Sequence, residues 1–150
     1  MTMLDVNGEA FHIRLDGPEH APVLMLSNSL STNLGLWDAQ VPEWAKRFRL
    51  LRYDSRGHGR SVAPSRPYSI DELGRDALAI MDALEIDRVH WCGLSMGGMV
   101  GMWLASHAPE RVNKLVLANT SPKMGPPDLW NQRILAARAG GMAAMAEATL

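Results

Sequence analysis

Short apolar runs alternate along this chain with longer stretches in which apolar residues return every three or four positions. The first pattern predicts strands and the second predicts helices. Asn7-Gly8 separates two strand-like pieces, the mark of a tight hairpin. Phe11-His12-Ile13-Arg14-Leu15 alternates as a half-exposed strand does. Val23-Leu24-Met25-Leu26 is continuous and apolar, as in a strand covered on both faces. Leu50-Leu51-Arg52-Tyr53 is a further strand. Ser69 opens a helix with Glu72 three residues on, a capping box. Ile70, Leu73, Ala77, Ile80, Met81 and Leu84 then follow at helical spacing. Arg88-Val89-His90-Trp91-Cys92 reads as a strand, Gly98 to Ala108 as a helix, and Leu115-Val116-Leu117-Ala118 as another buried strand.

After the hairpin, strand and helix alternate. That order predicts an α/β architecture, a mostly parallel sheet with helices on both faces. Ligands of such sheets bind at the carboxyl ends of the strands. Ser27 to Thr32, Asp54 to Ser61, Ser95 and Asn119-Thr120 all fall at those ends, so the polar residues gather on one rim. Composition changes at Ser121, where Ser121-Pro122-Lys123-Met124-Gly125-Pro126-Pro127 forms a turn cluster. Asp128 to Ala139 is helical in pattern, Gly140-Gly141 breaks it, and Met142 to Leu150 resumes it. Residues 1–121 are read as a core and residues 122–150 as the start of a helical cap over the rim.

The chain has 150 residues, enough for one compact core. Its formal net charge of −1 gives no reason to expect nucleic acid or an anionic membrane as partner. A single cysteine, Cys92, excludes an internal disulfide and a cysteine-rich metal site, and suits a reducing compartment. Met1 to Glu9 is polar and unlike a signal peptide, and no apolar run reaches the ~20 residues of a membrane helix. The expectation is a cytoplasmic protein.

Gly93-Leu94-Ser95-Met96-Gly97 carries the chemistry. Gly-x-Ser-x-Gly between a strand and a helix lifts the serine hydroxyl above the sheet on a sharp turn. The helix that follows aims free N–H groups and a positive dipole end at the reacting oxygen. Ser95 is therefore the expected nucleophile. The expected oxyanion donors are the backbone N–H groups of Met96 and, in the loop after the Val23 strand, Leu30. Acyl transfer also needs a base and an acid to orient it. Both should follow Ser95 in chain order, and the histidine that does so is His107. It lies about 18 Å along the helix at 1.5 Å per residue, too far to serve. His58 sits in a turn, and His12, His20 and His90 read as strand or surface residues. No triad can be assembled, and the helical pattern runs to Leu150 without a stop signal. The expectation is the N-terminal part of a longer protein, truncated before the last strands, or one half of a split one.

These residues resemble the α/β-hydrolase superfamily and, within it, the 3-oxoadipate enol-lactonases of aromatic catabolism. Ser27-Asn28-Ser29-Leu30 with Leu36-Trp37-Asp38 resembles the oxyanion loop of those enzymes. Arg52-Tyr53-Asp54-Ser55-Arg56-Gly57-His58-Gly59-Arg60-Ser61 is similar to their strand-end turn, Cys92-Gly93-Leu94-Ser95-Met96-Gly97-Gly98 to their elbow, and Trp130-Asn131-x-Arg133-Ile134 to their first cap helix. Ser31 departs from the pattern, where the family suggests glycine. The resemblance implies that Ser95 attacks the ring ester of a lactone, that water cleaves the acyl-enzyme, and that 3-oxoadipate is released. It implies no metal and no organic cofactor. It places Asn28 in the substrate-binding loop. The substrate carries a carboxylate, for which Arg133 offers a guanidinium; the other reading is an exposed helix arginine. Trp130 either walls the pocket or packs the cap. Met96, Met99 and Met102 read as core, and Cys92 as a small buried apolar residue.

Two other readings stand beside the lactonase. One is a general carboxylesterase of the same fold. The other is a non-catalytic fragment that pairs with a complementary C-terminal segment through an exposed sheet edge. The 150 residues alone are expected to be unstable, because absent strands would leave apolar faces uncovered.

Overall fold

The computed structural model describes residues 2–147. The close of the predicted helix at Leu150 lies outside them. Six strands form one sheet in the order β1-β2-β4-β3-β5-β6. They are β1 (Thr2–Val6), β2 (Glu9–Asp16), β3 (Val23–Ser27), β4 (Arg49–Tyr53), β5 (Val89–Leu94) and β6 (Val112–Ala118). The expected hairpin joins β1 to β2, with Asn7 at φ 55° and Gly8 at φ 82°, the backbone that a two-residue turn of this kind requires. β2 meets β4 antiparallel, and β4, β3, β5 and β6 run parallel. The mostly parallel α/β sheet is therefore as expected.

Four α-helices accompany the sheet among the described residues: α1 (Val41–Trp44), α2 (Ile70–Ala83), α3 (Met96–His107) and α4 (Pro127–Glu147). The Ser69 hydroxyl accepts the Glu72 N–H and caps α2, as the capping box predicts. α2 and α3 cover one face, where Leu73, Ala77, Ile80, Val100 and Leu104 pack on Met25, Leu51 and Trp91. The other face is smaller. Leu24, Leu26, Leu50 and Cys92 pack there against Trp37, in a 3₁₀ turn at Leu34–Trp37, and against Val41 and Trp44 of α1.

Two expectations need correction. The Leu115–Ala118 strand forms, but it is not buried: Val116 is 54% exposed and Leu117 42%. Among the described residues β6 is the edge of the sheet, paired on the β5 side. His12 lies on a strand as expected, yet it is buried rather than half-exposed. The predicted break at Gly140-Gly141 is present inside α4, where Gly141 has φ 70° and ψ −176°.

Candidate active site

β5 delivers the chain to the rim, and α3 leaves from it. Ser95 stands between them at φ 53° and ψ −112°. A non-glycine residue in that region is strained by about 1–3 kcal/mol, and it persists only where the surroundings over-determine it. Here they do. The Ser95 N–H donates to Ala118 O at 2.9 Å, tying the turn to the end of β6. The Ser95 carbonyl accepts from Gly98 N at 2.9 Å, Met99 N at 3.1 Å and the Thr120 hydroxyl at 2.7 Å. The two motif glycines are required by space. A Cβ on Gly93 would stand 2.1 Å from Gly97 O, and one on Gly97 would stand 2.2 Å from Ser27 O. The indole of Trp91, fully buried beneath the turn, donates to Gly97 O at 3.0 Å.

The rim segments predicted to gather are joined by hydrogen bonds. Gly97 N donates to Asn28 O at 3.0 Å, linking the elbow to the loop after β3. That loop is pinned to the end of β4 and the turn after it at three points: Asn28 Nδ2 to Tyr53 O at 2.8 Å, Ser31 N to His58 Nε2 at 3.0 Å, and Leu34 N to Asp54 Oδ1 at 2.7 Å. Ser31, the residue that stands where the family suggests glycine, has φ 64°. Ser95, Met96, Leu30, Met99, Met124 and Trp130 line a cavity of about 310 Å³. Four of the residues picked from sequence thus border one space. The N–H groups of Leu30 and Met96 donate to no partner among the described residues.

Asn28 and Arg133 stand elsewhere. The Asn28 side chain is buried and committed: Nδ2 donates to Tyr53 O, and Oδ1 accepts the Trp37 indole N–H at 2.8 Å. These two bonds fix the amide between Tyr53 and Trp37 and hold the β3 loop in place. Arg133 is exposed and does not line the cavity; its guanidinium lies 5.3 Å from the centre of the Trp130 ring.

No histidine among the described residues bonds the Ser95 hydroxyl. Both ring nitrogens of His58 are in use, Nδ1 against Arg56 O at 3.0 Å and Nε2 accepting from Ser31 N. His107 stacks on Trp103 with ring centres 4.4 Å apart, and His90 meets Asn113 and the edge of Phe48. His20 is exposed. His12 holds Asp54 through Nδ1 at 2.7 Å, and its Nε2 is buried without a partner among the described residues. Asp54 is a hub. One oxygen takes Leu34 N, and the other takes His12 and Arg60 N at 2.9 Å. No local pattern in the sequence marks this pair, whose members lie 42 residues apart. The β2–β4 register sets it: Ile13 faces Tyr53, so His12 faces Asp54.

Buried charge beneath the rim is likewise paired. Arg52 is held by Asp16 at 2.7 Å and Asp38 at 2.6 Å. Arg56 is held by Asp76 at 2.7 Å and by Glu9, and these hydrogen bonds raise its pKa, with burial opposing. Burial raises the pKa of the Tyr53 phenol, which shares a hydrogen bond of 2.9 Å with the Ser27 hydroxyl. Burial also pushes up the Cys92 thiol, which favours an inert apolar residue over a second nucleophile. Among the described residues no group of three or more His, Cys, Asp or Glu side chains is placed to hold a metal ion. None of their helices is long and apolar enough to cross a membrane.

A strained serine between a parallel strand and a helix, beside unpaired N–H groups at the strand ends, defines a protein class. The chain belongs to the alpha/beta hydrolase fold family, whose model matches residues 22–150. It is 43% identical over 131 residues to 3-oxoadipate enol-lactonase 2 of Acinetobacter baylyi, covering 87% of this chain and 49% of that protein. To 3-oxoadipate enol-lactonase 1 of the same organism it is 38% identical over 142 residues, 95% of this chain and 53% of that protein. The crystal structure of the enol-lactonase from Burkholderia xenovorans LB400 matches with a TM-score of 0.94 at 47% identity, over 99% of this chain and 58% of that one. The chain spans about half the length of the curated relatives it matches.

Proposed function

We propose that Ser95 is the nucleophile of an enol-lactone hydrolase. The observation that carries this reading is the strained Ser95 on the wall of a cavity that Leu30 and Met96 also line. Ser95 Oγ attacks the ring carbonyl of 3-oxoadipate enol-lactone, and the oxyanion takes hydrogen bonds from the Leu30 and Met96 N–H groups. The ring C–O bond breaks, the Ser95 hydroxyl proton passes by way of the base to the departing enol oxygen, and the enol tautomerises to the 3-oxo group of the acyl-enzyme. Water then cleaves the acyl-enzyme to 3-oxoadipate. The identity to enol-lactonases over most of this chain supports the choice of substrate. The base and acid that activate Ser95 belong, in this proposal, to a segment that complements these 150 residues, because the histidines described above are engaged elsewhere or exposed.

Residues 122–150 are proposed as the beginning of a cap. Trp130 supports this by lining the cavity from α4. Arg133, stacked on Trp130, is proposed to receive the substrate carboxylate. A cytoplasmic setting belongs to the same reading and suits the single thiol; cell fractionation tests it.

Substrate profiling of the full-length protein tests the proposal. The expected result is a preference for the anionic enol-lactone over neutral aryl esters, with one fluorophosphonate adduct mapped to Ser95. A preference for aryl esters, unchanged by Arg133→Ala, points instead to a general carboxylesterase.

A further inference from the structure

The Leu30 N–H belongs to the peptide that begins at the Ser29 carbonyl, and the Met96 N–H to the peptide that begins at the Ser95 carbonyl. A trans peptide is planar, and its C=O and N–H point in opposite directions. No cis peptide occurs among the described residues. Whatever holds either carbonyl therefore sets the direction of the N–H on the other side of the same plane. Each carbonyl is held by a threonine hydroxyl. Thr32 Oγ1 donates to Ser29 O at 2.8 Å, and Thr120 Oγ1 donates to Ser95 O at 2.7 Å. Backbone donors reinforce both, from Thr32 N at 3.3 Å to Ser29 O, and from Gly98 N and Met99 N to Ser95 O.

We propose that Thr32 and Thr120 are paired positioning residues that aim the two oxyanion-hole N–H groups by clamping the carbonyls of the same peptides. The two threonines come from separate segments, one after β3 and one after β6, yet make the same bond to corresponding peptides. Both are half-buried. A β-branched side chain suits the task because its χ1 is stiff. Thr120 is further fixed by contact: a Cβ added to Gly98 would come within 2.5 Å of its methyl group, so the threonine lies hard against the start of α3. The Ser31 N–H bond to His58 Nε2 steadies the next peptide of the β3 loop. Preorganised donors matter because they need no reorientation as charge develops on the oxygen. The clamp thus acts on the transition state and leaves substrate binding nearly untouched.

This inference rests on the serine-nucleophile reading, though not on the identity of the ester. The test uses the full-length protein with p-nitrophenyl acetate and with enol-lactone, comparing Thr32→Val, Thr120→Val, the double variant, the two Thr→Ser variants and Ser95→Ala. Valine keeps the shape and removes the donor; serine keeps the donor. Each valine variant is expected to lose about tenfold in kcat with little change in KM, less than the 10²–10³ that follows from losing an oxyanion donor outright. Each serine variant is expected to recover most of that loss. Where valine lowers Tm, Thr→Ala removes the hydroxyl without adding a methyl and decides the matter by the same kcat criterion. Folded valine or alanine variants with unchanged kcat, alongside an inactive Ser95→Ala, overturn the clamp and leave the nucleophile standing. A serine variant as slow as valine, or a loss confined to KM, overturns it too. Full turnover by Ser95→Ala removes the nucleophile reading and the clamp with it.

Discussion

The Ser95 turn and the last helix border the same cavity but are held in opposite ways. Around Ser95 the chain is locked. Trp91 and Leu104 are fully buried, glycines admit backbone where a Cβ would clash, and hydrogen bonds fix the peptides on each side. α4 is loosely attached. Leu129, Ile134, Leu135 and Met142 are all exposed, by 46–64%, and Gly141 breaks the helix. The contrast separates two tasks. Chemistry needs atoms fixed to a fraction of an ångström, and only a packed core supplies that. In the proposed reading, recognition of the substrate's far end is left to a lightly packed element. Substitutions that disturb the packing of the turn should therefore damage fold and turnover together, whereas substitutions on α4 should change selectivity and leave stability alone.

The most severe break is Ser95→Ala in the full-length protein, expected to lower kcat/KM by at least about 10⁴-fold with an unchanged circular dichroism spectrum. Asp54→Ala comes next. It strips partners from His12, Leu34 N and Arg60 N in a buried site, and should cost about 3–5 kcal/mol by chemical denaturation. A loss below about 1 kcal/mol would show that the hub is dispensable. Gly97→Ala drives a Cβ against Ser27 O, and should cost about 1–3 kcal/mol together with most of the activity. Arg133→Ala is expected to raise KM for the anionic lactone about tenfold, the loss of one charge-assisted contact, with neutral esters unaffected. Trp130→Ala sharpens the contrast from the other side: stability should change by no more than a surface substitution allows, about 0.5 kcal/mol, with Tm barely moved, while lactone KM rises. A large fall in Tm there would mean that α4 is part of the core.

Much of the turn was legible because its signals are local. Gly-x-Ser-x-Gly between an apolar run and a helical one, the Asn7-Gly8 hairpin and the Ser69 cap each rest on a few adjacent residues whose backbone geometry is dictated by their own side chains. Leu30 and Met96 were placed by offset from a strand end and from the serine, and both reached the cavity. The loop that carries Asn28 is legible in the sequence, but the direction of its amide depends on Tyr53 and Trp37, 25 and 9 residues away. The burial of the Leu115–Ala118 strand was misjudged because an apolar run records what a strand can bury, and not which neighbour covers it.

By itself, then, the sequence determined the alternating order of strands and helices and the conformation of the Ser95 turn, since both follow from short-range periodicity and residue type; its motifs carried the resemblance to the family. Only the tertiary structure decided which distant polar groups meet. The strand register places His12 opposite Asp54, and the parallel neighbours β5 and β6 bring Thr120 to the Ser95 carbonyl. The physical reason is that hydrogen bonds across a sheet are selected by strand order and register. Those are properties of the whole packed sheet, and no single stretch of the chain carries them.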